Sequence, residues 1–109
     1  MQIAFEHAAL KKQCEKPSVA QRAFGVAGAK KLARRLNELS AAEKVGDLVV
    51  GHPHPLKGNR AGQFSLNLHG GCRLVFKANH LENPVLADGG INWPVVSKIS
   101  IVFIGDYHD

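Results

Sequence analysis

The sequence predicts an α+β fold, with N-terminal helices and a small, mainly antiparallel β-sheet. Three observations carry that prediction: leucines recur at helical spacing before residue 40, apolar and polar residues alternate after residue 62, and an apolar run closes the chain. At 109 residues the chain has room for one core, so a single domain over 1–109 is expected. It is 45% hydrophobic, yet no stretch approaches the roughly 20 apolar residues of a membrane helix. Met1 to Leu10 carries Glu6 and no apolar run, which argues against a signal peptide and for the cytoplasm. In that compartment Cys14 and Cys72 are expected to stay reduced, and their spacing matches neither a redox pair nor a zinc ribbon.

The elements follow in order. Ile3 and Phe5, one residue apart, suggest a short opening strand, and His7 to Glu15 reads as a helix interrupted by Lys16-Pro17. Ser18 is a candidate cap for a second helix running to about Leu39, in which Leu32, Leu36 and Leu39 share one face and Lys30, Lys31, Arg34 and Arg35 fall largely elsewhere. Gly25 and Gly28 weaken its first half. Asp47 to Val50 fits a short strand or a helix-end segment. Two prolines and two glycines between Pro53 and Gly62 argue against regular structure there.

Phe64, Leu66 and Leu68 alternate with polar residues, as do Cys72, Leu74 and Phe76, so each segment reads as a strand with one buried face. A two-residue Gly70-Gly71 turn would set the apolar side chains of one strand against the polar ones of the other. A three-residue loop, His69-Gly70-Gly71, instead pairs Leu66 with Leu74 and Phe64 with Phe76, with Gly71 as its left-handed residue. Arg73 and Lys77 then share the opposite face with Gln63, Ser65, Asn67 and Val75, a mostly polar surface suited to a polyanion's backbone. His80 to Val96 is a long loop that fits a binding flap, a disordered tip or neither. Lys98 to Ile104 reads as a central strand buried on both faces, delivering Gly105-Asp106-Tyr107-His108-Asp109 to the sheet's end.

The formal net charge of +5 points to a polyanionic partner, and its distribution sharpens the point. From Leu48 to Leu81 there is no Asp or Glu, while Lys57, Arg60, Arg73, Lys77 and several histidines are present. An electropositive surface is expected there.

The order of helices, His54-Pro55-Leu56-Lys57-Gly58, Arg60, Gly62-Gln63-Phe64-Ser65-Leu66, Arg73-Leu74-Val75-Phe76 and a terminal Asp106-Tyr107-His108 resembles the HigB, or plasmid-maintenance killer, branch of the RelE/ParE toxin superfamily. The resemblance spans about Ser18 to Val75 and the final strand. It implies a RelE-like toxin fold, a type II toxin–antitoxin system, and an endoribonuclease that cuts messenger RNA on the ribosome. It also implies a helix-turn-helix HigA-like antitoxin as partner. Two features depart from the family pattern: the His80 to Val96 loop is long, and Cys72 stands where an aromatic residue is more usual.

Metal-independent RNA cleavage needs a base for the ribose 2′-OH, an acid for the departing 5′-oxygen, and cations for the charge on phosphorus. His108, matching the family's terminal histidine, and His54 are the candidates for proton transfer, with either order of roles open. Asp106 is placed to orient or tune an imidazole, and Tyr107 to stack on a base or donate to phosphate. Arg73 and Lys57 are the expected phosphate stabilisers; Arg60 and Lys77 are expected to guide the RNA backbone. No cofactor is called for, and the histidine spacings fit no recognised zinc pattern.

Other readings stand beside this one. The basic cluster on the second helix suits RNA or antitoxin docking, but an ordinary solvated face is the commoner meaning. Without the resemblance, Asp106 to Asp109 would be a solvated tail and His54 a loop residue. A ParE-like toxin that binds DNA gyrase shares the scaffold, and a catalytically inactive interaction module is a third class. The joint presence of His54, Arg73, Tyr107 and His108 favours the nuclease.

Overall fold

The computed structural model describes Met1 to Tyr107; His108 and Asp109 lie outside the described residues. The strands are β1 (Gln2–Phe5), β2 (His54–Pro55), β3 (Gln63–Asn67), β4 (Arg73–Ala78) and β5 (Lys98–Gly105), and the helices are α1 (Ala8–Glu15) and α2 (Pro17–Ala41). The sheet order is β1-β5-β4-β3-β2, with every pair antiparallel except β1 and β5. Leu32 and Leu39 of α2, with Leu10 and Cys14 of α1, pack into one core with Phe64, Leu66, Leu74, Phe76, Ile99 and Ile101. The architecture is α+β, two helices on a mainly antiparallel sheet, as expected from the sequence.

Helix α2 begins differently from the reading that put Ser18 at its cap. Pro17 occupies its first turn, Lys16 is the flanking residue, and the Lys16 carbonyl accepts from the amides of Val19 and Ala20. Proline suits that position because its missing N–H would lack a helical partner anyway, and its ring already sets φ. Gly25, at φ 75° and ψ 173°, then breaks the helix into two stretches. Gly28, Leu32, Arg35 and Leu39 form the buried stripe of the second stretch. Arg35 therefore does not belong with the outward-facing cations: it is 5% exposed, donating through Nε to the Asn67 carbonyl (3.2 Å) and through Nη1 to Glu38 (2.6 Å). A buried guanidinium persists because both its charge and its N–H groups are matched.

The hairpin of β3 and β4 has the register expected, Phe64 opposite Phe76 and Leu66 opposite Leu74. The left-handed residue of its loop is Gly70 (φ 63°), rather than Gly71. Asp47 to Val50 forms no strand; Val45 to Asp47 make one 3-10 turn. The proline-rich loop is more regular than its composition suggests. His54–Pro55 pairs with Ser65 and Phe64 as β2, and Gly58–Arg60 makes a 3-10 turn. Pro55 is tolerated because β2 is an edge strand, where a missing donor removes no ladder bond from a neighbour.

The His80 to Val96 connection is neither an open flap nor an unstructured tip. Val85 bridges Ile91 around a turn in which the Leu86 amide donates to Gly90, and a 3-10 turn at Trp93–Val95 inserts Trp93 and Val96 into the core. Strand β5 is interior to the sheet, but not uniformly buried on both faces. A register shift against Val75 and Phe76 puts Phe103 opposite Val75 and Ile101 opposite Phe76, leaving Val102 as an extra residue. Ile101 and Ile104 both join the core by this means, while Val102 and Phe103 stay half-buried. The unbroken apolar run is thus a bulged strand.

Both cysteines are free. Burial between α1 and α2, with the Glu15 carboxylate adding to it, pushes the Cys14 thiol up to about 12. Cys14 should alkylate at pH 8 at least about a hundredfold more slowly in the native protein than in urea, because the thiolate is the reactive form. Peptide mapping after timed iodoacetamide exposure measures this; equal rates in both states would show that the thiol is not held between the helices.

Candidate active site on the sheet face opposite the helices

Because strand side chains alternate, the residues between the core positions of β3, β4 and β5 share the sheet's other face. Cross-strand pairing arranges them in rows. One row runs Phe103, Val75, Ser65, His54 across β5, β4, β3 and β2; beside it lie Gly105, Arg73 and Asn67 on one side and Ser100, Lys77 and Gln63 on the other. The face thus brings His54, Arg73 and Lys77 onto one surface, and Asp106 and Tyr107 follow directly from β5.

The centre of this face is not the open polar floor that the alternation suggests. Ser65 and Val75 are both 0% exposed. Arg60 extends from its 3-10 turn until its guanidinium stands 4.4 Å from the centre of the Phe103 ring and 4.8 Å from that of Tyr107. The arm thus links the loop before β3 to β5, two places along the sheet. The Ser65 hydroxyl and the Asn67 side-chain carbonyl are buried there without a hydrogen-bond partner, which leaves bonding capacity for water or substrate.

His54 is half-buried on the edge strand. Its Nδ1 lies 2.7 Å from the His52 carbonyl oxygen. A carbonyl only accepts, so Nδ1 carries a proton and donates, and in the neutral ring Nε2 is left as the basic nitrogen. His52 holds its carbonyl there from a left-handed backbone (φ 50°), with its own ring 4.5 Å from that of His54. The structure thereby distinguishes the two nitrogens, which the sequence could not.

The cations differ in how they are engaged. Arg73, half-buried at the start of β4, donates through Nη1 to the Cys72 carbonyl (3.1 Å). Lys57 is exposed, and its carbonyl accepts from the Arg60 amide to close the 3-10 turn. Lys77 lies 3.9 Å from Glu6, which follows β1, so the face is less uniformly positive than the acid-free stretch from Leu48 to Leu81 suggested. The acid arrives through the parallel β1–β5 pairing, a contact remote in sequence. Asp106 is exposed against the β3–β4 turn, close enough that a Cβ on Gly71 would come within 2.8 Å of its carboxylate. His108 lies outside the described residues.

The other histidines serve elsewhere. His69 is exposed in the hairpin loop, and His80 accepts through Nε2 from the amides of Ser97 (3.1 Å) and Lys98 (3.3 Å). Among the described residues, no three His, Cys, Asp or Glu side chains gather in a way that could hold a metal ion. The sequence reading missed three participants: His52, whose carbonyl orients His54; Gln63, whose Oε1 accepts from Arg60 Nη1 (3.0 Å); and Phe103. Phe103 was hidden inside an apolar run, and only the bulge turns it towards the site.

The fold is that of toxins of the YoeB and ParE type. A YoeB/ParE toxin from Agrobacterium tumefaciens superposes with a TM-score of 0.61 at 12% identity, covering 99% of this chain and 100% of that one. The YoeB-YefM complex from Staphylococcus aureus gives 0.59 and the YoeB dimer from the same organism 0.58, each at 18% identity and covering 100% of this chain and 98% of the other. No protein-family model and no curated protein matches the sequence.

Proposed function

We propose that the chain is one toxin domain of a type II toxin–antitoxin system, a cytoplasmic endoribonuclease of the HigB branch that cuts messenger RNA on the ribosome. The observation that carries this reading is the oriented His54 imidazole, its Nε2 free to act as a base, on a sheet face with Arg60 and Arg73 in a toxin fold. His54 Nε2 takes the proton of the ribose 2′-OH, and the 2′-oxygen bonds to phosphorus as the bond to the 5′-oxygen breaks. His108 gives the 5′-oxygen its proton, and a 2′,3′-cyclic phosphate is left. Arg73 and Lys57 offset the charge that builds on phosphorus. Tyr107 stacks on a base next to the cleaved bond, Asp106 orients or tunes an imidazole, and Lys77 guides the strand. These side chains supply the proton transfers and the charge the reaction needs, so the reading calls for no cofactor or metal.

An antitoxin of the helix-turn-helix HigA type completes the pair; one of the similar structures is the YoeB-YefM complex. Induced expression, with growth and transcript integrity followed for the wild type, Arg73→Ala and His108→Ala, tests the reading. New transcript cuts that vanish in both folded variants support it. Arrest with intact transcripts would transfer the chain to the gyrase-binding class, and unimpeded growth of a folded wild type would make it an inactive relative.

A further inference from the structure

Arg60 differs from the other engaged cations of the molecule. Arg35 is matched by Glu38 and a carbonyl, Lys77 faces Glu6, and Arg73 is tied to the backbone beside it. Arg60 has no carboxylate within ion-pair distance among the described residues, and its one hydrogen bond there is to the neutral Gln63 amide. Its charge stands instead over the Phe103 and Tyr107 rings, themselves edge to face with centres 6.0 Å apart. A guanidinium presents five N–H donors around its edge, and among the described residues Arg60 spends one of them, on Gln63, which leaves most for a ligand.

The loop bearing Arg60 would not hold such an arm unaided. It is flanked by Gly58 (φ 63°) and Gly62 (φ 85°), and an arginine side chain loses about 2 kcal/mol of rotamer freedom when it is fixed. The aromatic contacts and Gln63 fix it before any ligand arrives. Preorganised positive charge with an open donor edge is a receptor for an oxyanion. In the sheet rows Phe103 lies three strands from His54, about 14 Å at strand spacing. A phosphate held at Arg60 is therefore a different one from that beside His54.

We infer that Arg60 forms a second phosphate subsite for single-stranded RNA, and that Phe103 and Gln63 are positioning residues that act through it. This inference rests on the nuclease reading for its RNA ligand. It predicts that Arg60 governs capture of the RNA more than the rate of the chemical step. It also predicts that Phe103 matters only while Arg60 is present.

The test uses the full chain, a fluorescently labelled 12-nucleotide single-stranded RNA for equilibrium binding over a range of salt, and messenger-programmed ribosomes for cleavage. Arg60→Ala should weaken binding about tenfold and flatten the slope of log affinity against log salt by about 0.7, the loss of one phosphate contact. Phe103→Leu should weaken binding roughly two- to fivefold, and Phe103→Trp should restore it. On ribosomes the changes should fall in KM, with kcat nearly constant. In the Arg60→Ala background Phe103→Leu should add nothing, whereas a merely structural Phe103 would lower affinity there as well. Cleavage by the wild type, with both single variants binding and cutting like it, would overturn the subsite while leaving the nuclease reading intact. Arg60-dependent RNA binding without cleavage would do the reverse, and a wild type that neither binds nor cuts would end both.

Discussion

His54→Ala is expected to slow RNA cleavage at least about a hundredfold while leaving the melting temperature close to that of the wild type. The size follows from the role. A side chain that takes a proton in the transition state typically contributes between about 10² and 10⁴ in rate, and the Nδ1–H bond to the His52 carbonyl leaves Nε2 for that task. The small effect on stability follows from location. His54 is half-buried on a two-residue edge strand, and its backbone pairing with Ser65 survives the change. Single-turnover cleavage of messenger on ribosomes, with a thermal melt of each preparation, measures both quantities. A folded His54→Ala protein cutting within about threefold of the wild type would place the base elsewhere.

Local pattern was the legible part. The period-2 alternation of β3 and β4 set not only the strands but their register, because a one-residue slip would turn Leu66 and Leu74 to the wrong face. The leucine stripe of α2 was legible for the same reason. What pattern could not show was any residue whose environment is made by a distant segment. Arg35 looks like one more cation on a basic helix until β3 supplies the Asn67 carbonyl. Ser65 and Val75 look solvent-facing by alternation, yet the folded chain buries both completely. Lys77 looks unpaired until the parallel pairing of β1 with β5 brings Glu6 beside it.

The candidate site divides in the same way. His54, Lys57, Arg60 and Arg73 could be named because their residue types and order carried a resemblance. The support for them could not be named: a backbone carbonyl has no sequence signature, and Gln63 and Phe103 belong by type to the strands that contain them. The register shift in β5 is the clearest case. A helix-facing strand with strict alternation would not turn both Ile101 and Ile104 inwards, so the run of four apolar residues from Ile101 to Ile104 is itself the trace of the bulge.

Trp93→Ala is expected to cost about 3–5 kcal/mol, a large share of the roughly 5–15 kcal/mol by which a domain of this kind is stable. Trp93 is only 9% exposed although it belongs to the long connection between β4 and β5. Its ring centre lies 4.8 Å from that of Phe64 and 6.0 Å from that of Phe76, the second contact edge to face, so one indole closes the end of the helix-facing core over two strands. Beside it runs a groove of about 460 Å³ lined by Pro53, Pro55, Phe64, Leu86, Ile91 and Pro94 among others. Removing the indole would join that groove to the core and admit water to Phe64 and Phe76, instead of leaving a sealed cavity that neighbours could partly fill. Trp93→Phe keeps a ring against both phenylalanines and should cost much less, about 1.5 kcal/mol or below. Urea unfolding of the three proteins, compared at equal m-value, gives both differences. A loss under about 1 kcal/mol for Trp93→Ala would mean that the connection merely rests on the core without completing it.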